Sequence, residues 1–121
     1  MGVFTNIEVQ IEFKTVEDSN KTFDILENFE KQIKEHIYKD KPFHVNELDF
    51  DGDNDYVEIR IHSGREPNAR FHVDCLIKLM QINKVGVISF NADIIQPETY
   101  LCFNEDDEDL FEEYEINFEN N

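Results

Sequence analysis

The chain opens on strict alternation of apolar and polar positions. Val3, Thr5, Ile7, Val9, Ile11 and Phe13 fall on one side, and Glu8, Gln10, Glu12 and Lys14 on the other. A period of two predicts a strand with one buried face. "VEDSNKTFD" then carries helix-start chemistry, with Asp18, Ser19 or Asn20 as the cap. Phe23, Leu26, Phe29 or Glu30, Ile33 and Ile37 follow at helical spacing, so a single helix is expected to reach Tyr38. Pro42 stops it, because the residue before a proline resists the α conformation.

Phe43 to Phe50 reads as a second strand with a phase slip. Phe43 and Val45 are odd-numbered while Leu48 and Phe50 are even, which a bulge near Asn46 reconciles. "DGDN" supplies turn chemistry, and Val57, Ile59 and Ile61 alternate with Tyr56, Glu58, Arg60 and His62 in a third strand. After the loop "SGREPN", Pro67 suits a helix first turn, and Ala69, Val73, Leu76, Ile77 and Met80 form a stripe running to Ile82. "NKVG" ends that helix. "VGVISF" and "TYLCF", separated by "QPE", read as two further strands. The order β-α-β-β-α-β predicts an α+β ferredoxin-like split β-α-β sandwich, with both helices on one face of an antiparallel sheet. To it are added an extra C-terminal strand and an acidic C-terminal segment. A length of 121 residues suits one core. The expected division is a single α+β domain over 1–103 and an acidic extension over 104–121 packed on or next to it.

Charge changes the picture more than composition does. Eleven Lys and Arg stand against 28 Asp and Glu, a formal charge of −17. Such a surface disfavours free nucleic acid and anionic membrane as direct partners and favours a basic protein surface. The imbalance is uneven. From Val85 to Asn121 there is no Lys, Arg or His in 37 residues, and nine acids crowd into "EDDEDLFEEYEINFE". These are Glu105, Asp106, Asp107, Glu108, Asp109, Glu112, Glu113, Glu115 and Glu119, interleaved with Leu110, Phe111, Tyr114, Ile116 and Phe118. A purely solvating tail has no use for those apolar residues. Both a helix face and a strand face accommodate them. On a strand, every second carboxylate recurs at ~6.6–6.8 Å, close to the phosphate spacing of an extended nucleic-acid strand.

A second acidic stretch, "ELDFDGDNDYVEIRI", partly fits a calcium loop. Glu47, Asp49, Asp51 and Asp53 supply oxygens, Gly52 stands at the sixth position and Glu58 at the twelfth. Both flanks alternate like strands, however, and a calcium hand needs helices there. The preferred reading is a hairpin tip whose Asp49, Asp51, Asp53 and Asp55 extend the acidic surface. Cys75 and Cys102 both sit among apolar neighbours and are expected to be buried, reduced thiols. His36, His44, His62 and His72 show no metal spacing, and His36 and His72 are expected on polar helix faces. Arg65 and Arg70 form the one basic spot, a salt-bridge partner for the acidic tail. With four Gly and no phosphate loop, nothing here names an enzyme, a cofactor or a metal centre. The N-terminus lacks the basic and apolar regions of a signal peptide, and no apolar run reaches membrane-spanning length, so a cytoplasmic location is expected.

In size, charge and acid–aromatic layout the chain resembles phage anti-defence proteins, including anti-CRISPR proteins and DNA-mimicking anti-restriction proteins. The resemblance implies an inhibitor that occupies the nucleic-acid groove of a basic nuclease or defence effector, in the host cytoplasm when phage-encoded. It carries over no functional residue. An immunity protein against a basic toxin obeys the same physics, and a homodimer joined through an edge strand is a third class. A domain built around a small-molecule pocket is a fourth.

Overall fold

Thr5, within the alternating run, begins the central strand of the sheet, β1 (Thr5–Phe13). The structure is a computed structural model, and it describes residues 5–37, 47–63, 66–95 and 99–104. Ile7, Val9, Ile11 and Phe13 are all buried, while Glu8, Gln10 and Glu12 are exposed. The remaining elements are α1 (Val16–Glu27), α2 (Phe29–His36), β2 (Glu47–Asp53), β3 (Tyr56–Ser63), α3 (Glu66–Ile82), β4 (Val87–Ile94) and β5 (Thr99–Asn104). Together they make a mixed α+β fold, a five-stranded antiparallel sheet with three helices.

The strand order is β2-β3-β1-β4-β5, with every neighbouring pair antiparallel. Registers put apolar residues opposite apolar residues across the sheet. Ile61 faces Ile7 and Leu48, Ile59 faces Val9 and Phe50, and Phe90 faces Ile11 and Phe103. One extra residue in β4, Ile88, makes a bulge where Glu12 and Phe13 meet Ser89 and Val87. The core lies between this apolar face and the helices, and it includes Ile25, Leu26, Phe29, Ile33, Leu76, Leu79 and Met80.

Several expectations are corrected. The first helix starts earlier, with Thr15 as its cap. Thr15 Oγ1 accepts from the Asp18 N–H at 3.1 Å, and the Thr15 hydroxyl donates to Asp18 Oδ2 at 2.7 Å. Asp18 and Ser19 are therefore inside the helix and buried. Instead of one helix there are two. Asn28 breaks the run at φ −119 and ψ 31, its Nδ2 donating to the Asp24 carbonyl at 3.1 Å. Asn side chains compete in this way with the backbone ladder. The bend lets both Leu26 and Phe29 reach the core.

Asp51, Gly52 and Asp53 belong to β2 rather than to a turn, and only Asn54 and Asp55 form the connection. Gly52 is required there by contact, because a Cβ would fall against the Tyr56 carbonyl oxygen and 2.8 Å from the Phe23 ring. The bulge near Asn46 and the strand start at Phe43 lie outside the described residues. β4 continues beyond Phe90 to Ile94, burying Ala92 and Ile94. His72 is buried rather than on a polar face. Arg70 pairs with Asp74 of its own helix at 3.1 Å, and Asp74 is itself buried, while the expected pairing of Arg65 and Arg70 with the acidic tail lies outside the described residues. Both thiols are free, but only Cys75 is buried while Cys102 is exposed.

Candidate functional site: the open face and outer strand of the sheet

Strand side chains alternate between faces, so the residues between the core positions build a second surface. No described helix covers it. The registers set it out in rows. Asp49, Arg60, Glu8, Asp93 and Tyr100 lie in one row from β2 to β5. Asp51, Glu58, Gln10, Asn91 and Cys102 form the next, and Asp53, Tyr56, Glu12, Ser89 and Asn104 the third. Within the five strands Arg60 is the only Lys or Arg.

Acids concentrate toward β2. Asp49, Asp51 and Asp53 are all exposed, at successive outward positions. Neighbours in this line stand ~6.8 Å apart, and the next strand is ~4.8 Å away. Asp51 sits directly opposite Glu58, a like-charge pair that weakens the sheet. Arg60 offsets part of this repulsion. Its Nη2 donates to Asp49 Oδ2 at 3.1 Å and its Nη1 to Glu58 Oε1 at 3.2 Å. The hydrogen bond that Arg60 donates to Asp49 holds the guanidinium more firmly protonated than usual against the opposing effect of desolvation, and the charges of Asp49, Glu58 and Asp51 add to it. Burial pushes the Tyr56 hydroxyl above its ordinary value, and the negative charges of Glu58 and Glu12 add to this.

The far side of the sheet is more neutral. Tyr100 is exposed, and its hydroxyl donates to Asn91 Oδ1 at 2.7 Å. His62 Nδ1 lies 2.7 Å from Asn6 Oδ1. On the helix side, a groove of ≈ 730 Å³ runs beside β2, with Leu26, Phe29, Leu48 and Phe50 among its walls. Its charged lining includes Glu27, Glu30, Glu35, Lys31 and Lys34. Phe23 stacks on Phe50 with ring centroids 5.9 Å apart.

Of the residues singled out from the sequence, Asp49, Asp51 and Asp53 come together along β2, and Asp55 occupies the adjoining turn. The stretch from Glu47 to Glu58 forms a hairpin of two strands, so the helices of a calcium hand are not there. Glu105, Asp106, Asp107, Glu108, Asp109, Glu112, Glu113, Tyr114, Glu115 and Glu119 lie outside the described residues. Sequence reasoning placed Glu8, Glu12 and Glu58 on outward faces but did not join them to the Asp49–Asp53 line. The strand order supplies that connection. Protein-family models, curated proteins and solved structures give no match to this chain.

Proposed function

We propose that this protein is an acidic inhibitor that binds a basic nucleic-acid-binding protein or nuclease by presenting nucleic-acid-like charge. On this reading it acts in the cytoplasm, has no catalytic chemistry of its own, and resembles phage anti-defence proteins in its mode of action. The observation that carries the reading is the outward line of Asp49, Asp51 and Asp53, backed by Glu58, Glu8 and Glu12 on a sheet with one strand cation. A groove built for phosphates attracts carboxylates at this repeat by the same counterion physics. The nine acids between Glu105 and Glu119, with Tyr114 among them, extend the same charge.

The finer fold reading, a ferredoxin-like split β-α-β sandwich with one added strand, belongs to the same proposal. Its support is that the β1-to-β2 connection steps over β3, while the β3-to-β4 connection steps over β1. The test of function is capture of partners on the immobilised protein, with washes of low salt, high salt and added duplex DNA. A basic protein held at low salt and released by DNA is the expected result. A partner that DNA does not release moves the function to toxin immunity. Retention of no basic protein overturns the proposal.

A further inference from the structure

β2 combines three properties that are separate elsewhere in the fold. It is an edge strand, and among the described residues nothing pairs with its outer side. One of its faces carries the exposed Asp49, Asp51 and Asp53. Its other face carries the half-buried Leu48 and Phe50, which line the groove shared with Leu26 and Phe29. An added strand would lay alternate side chains on these two faces. We propose that β2 accepts an extended partner segment in which basic and apolar residues alternate, joined as a sixth strand. Its Lys or Arg side chains lie over the carboxylate line, its apolar side chains enter the groove, and its backbone completes the hydrogen bonds of the free edge.

The match is selective for physical reasons. An unpaired edge invites any strand, and charged side chains are the usual deterrent. Here the charge has one sign. Neutral strands gain nothing from it, and a second copy of this chain would bring a second set of aspartates against the first. A basic strand is the one class for which the deterrent becomes an attraction. The groove supplies the second criterion, since a uniformly basic segment leaves Leu48 and Phe50 without an apolar partner. The inference rests on the reading that the partner is basic, and it adds where and in what conformation it binds.

The test uses the full chain and a synthetic peptide of alternating Arg and Val, about as long as β2. The control is a peptide of the same composition with its Arg residues in one block. Binding is titrated by calorimetry at low and high salt, and amide hydrogen exchange is followed on β2. The expected result is that the alternating peptide binds at least about tenfold more tightly than the block peptide and slows exchange at alternate β2 amides. Asp51→Lys and Leu48→Thr are each expected to weaken it about tenfold. Asp51→Lys relieves the repulsion with Glu58, and Leu48→Thr puts a β-branched residue of high strand propensity at a half-buried position, so both variants are expected to fold. Equal binding of the two peptides without exchange protection overturns strand addition while leaving the basic-partner reading intact. No binding of either peptide overturns strand addition, and partner capture then decides the broader reading separately. A salt-independent dimer formed across β2 overturns it as well.

Discussion

Asp18 shows how much one side chain organises. It completes a Thr-x-x-Asp capping pair with Thr15, and its Oδ1 accepts from the Gly86 N–H at 2.9 Å. That bond ties the start of α1 to the connection between α3 and β4. Gly86 has to be glycine for this approach, since a Cβ would stand 2.9 Å from Asp18 Oδ2. Burial raises the Asp18 carboxyl, but the Gly86 N–H, the Thr15 hydroxyl, the Lys21 charge and the Thr15 N–H outweigh it and leave it below the ordinary 3.8. A lowered folded value means a contribution that is present above the unfolded value and lost as pH falls through the folded one. Asp18→Asn is therefore expected to cost about 1–2 kcal/mol at pH 7. In denaturant unfolding, the gap from the unmodified protein should narrow below pH 3.8. A gap of constant size from pH 7 to pH 3 would show that the carboxylate charge is irrelevant there. The Thr15-x-x-Asp18 spacing was readable in the sequence. It was masked by three consecutive residues able to cap, Asp18, Ser19 and Asn20, two of which are buried inside the helix.

At the level of elements, the end of α3 is built unusually. Val85 N donates to the Met80 carbonyl at 3.0 Å and Lys84 N to that of Gln81 at 3.1 Å, the two bonds of a Schellman cap. The left-handed position in such a cap favours glycine, and here it holds Lys84 at φ 55. Lys84→Gly is expected to raise unfolding stability by about 1 kcal/mol in urea, with an unchanged slope. Loss of stability would show that the lysine side chain contributes more than its backbone costs. The elements differed in legibility for reasons of environment. β1 and β3 have one wet face, so their alternation survives into burial. α3 contacts α1, α2 and three strands, and Val73, Cys75, Leu76, Ile77, Leu79 and Met80 are all buried. A helix surrounded in this way loses polar contrast, which hid His72 and Asp74. The break at Asn28 was equally hidden, because apolar spacing continues across it in phase.

Over the whole molecule, charge is the dominant fact. With −17 at neutral pH, repulsion among carboxylates opposes the compact state, and the Asp51–Glu58 pair concentrates it. Screening should therefore stabilise the fold although it weakens the Arg60 and Arg70 pairs. Melting followed by circular dichroism is expected to shift up by about 4–8 °C for each ~1 kcal/mol of repulsion removed between low salt and ~0.5 M NaCl. A melting point that falls with salt would mean that the ion pairs outweigh the repulsion. The α+β class and the antiparallel sheet were legible from two periodicities and the order of elements. The acidic face was not, because Glu8, Asp51 and Asp93 are far apart in sequence and meet only through strand order.

Cys102 is the one thiol that meets solvent, since Cys75 is buried and its thiol is pushed well above the ordinary value by burial and by Asp74. A maleimide dye will therefore attach at a single place without engineering. That place is on β5, at the opposite margin of the sheet from β2, four strand spacings or ~19 Å away. A fluorophore there leaves the carboxylate line uncovered, yet lies well within energy-transfer range of an acceptor carried by whatever docks against it.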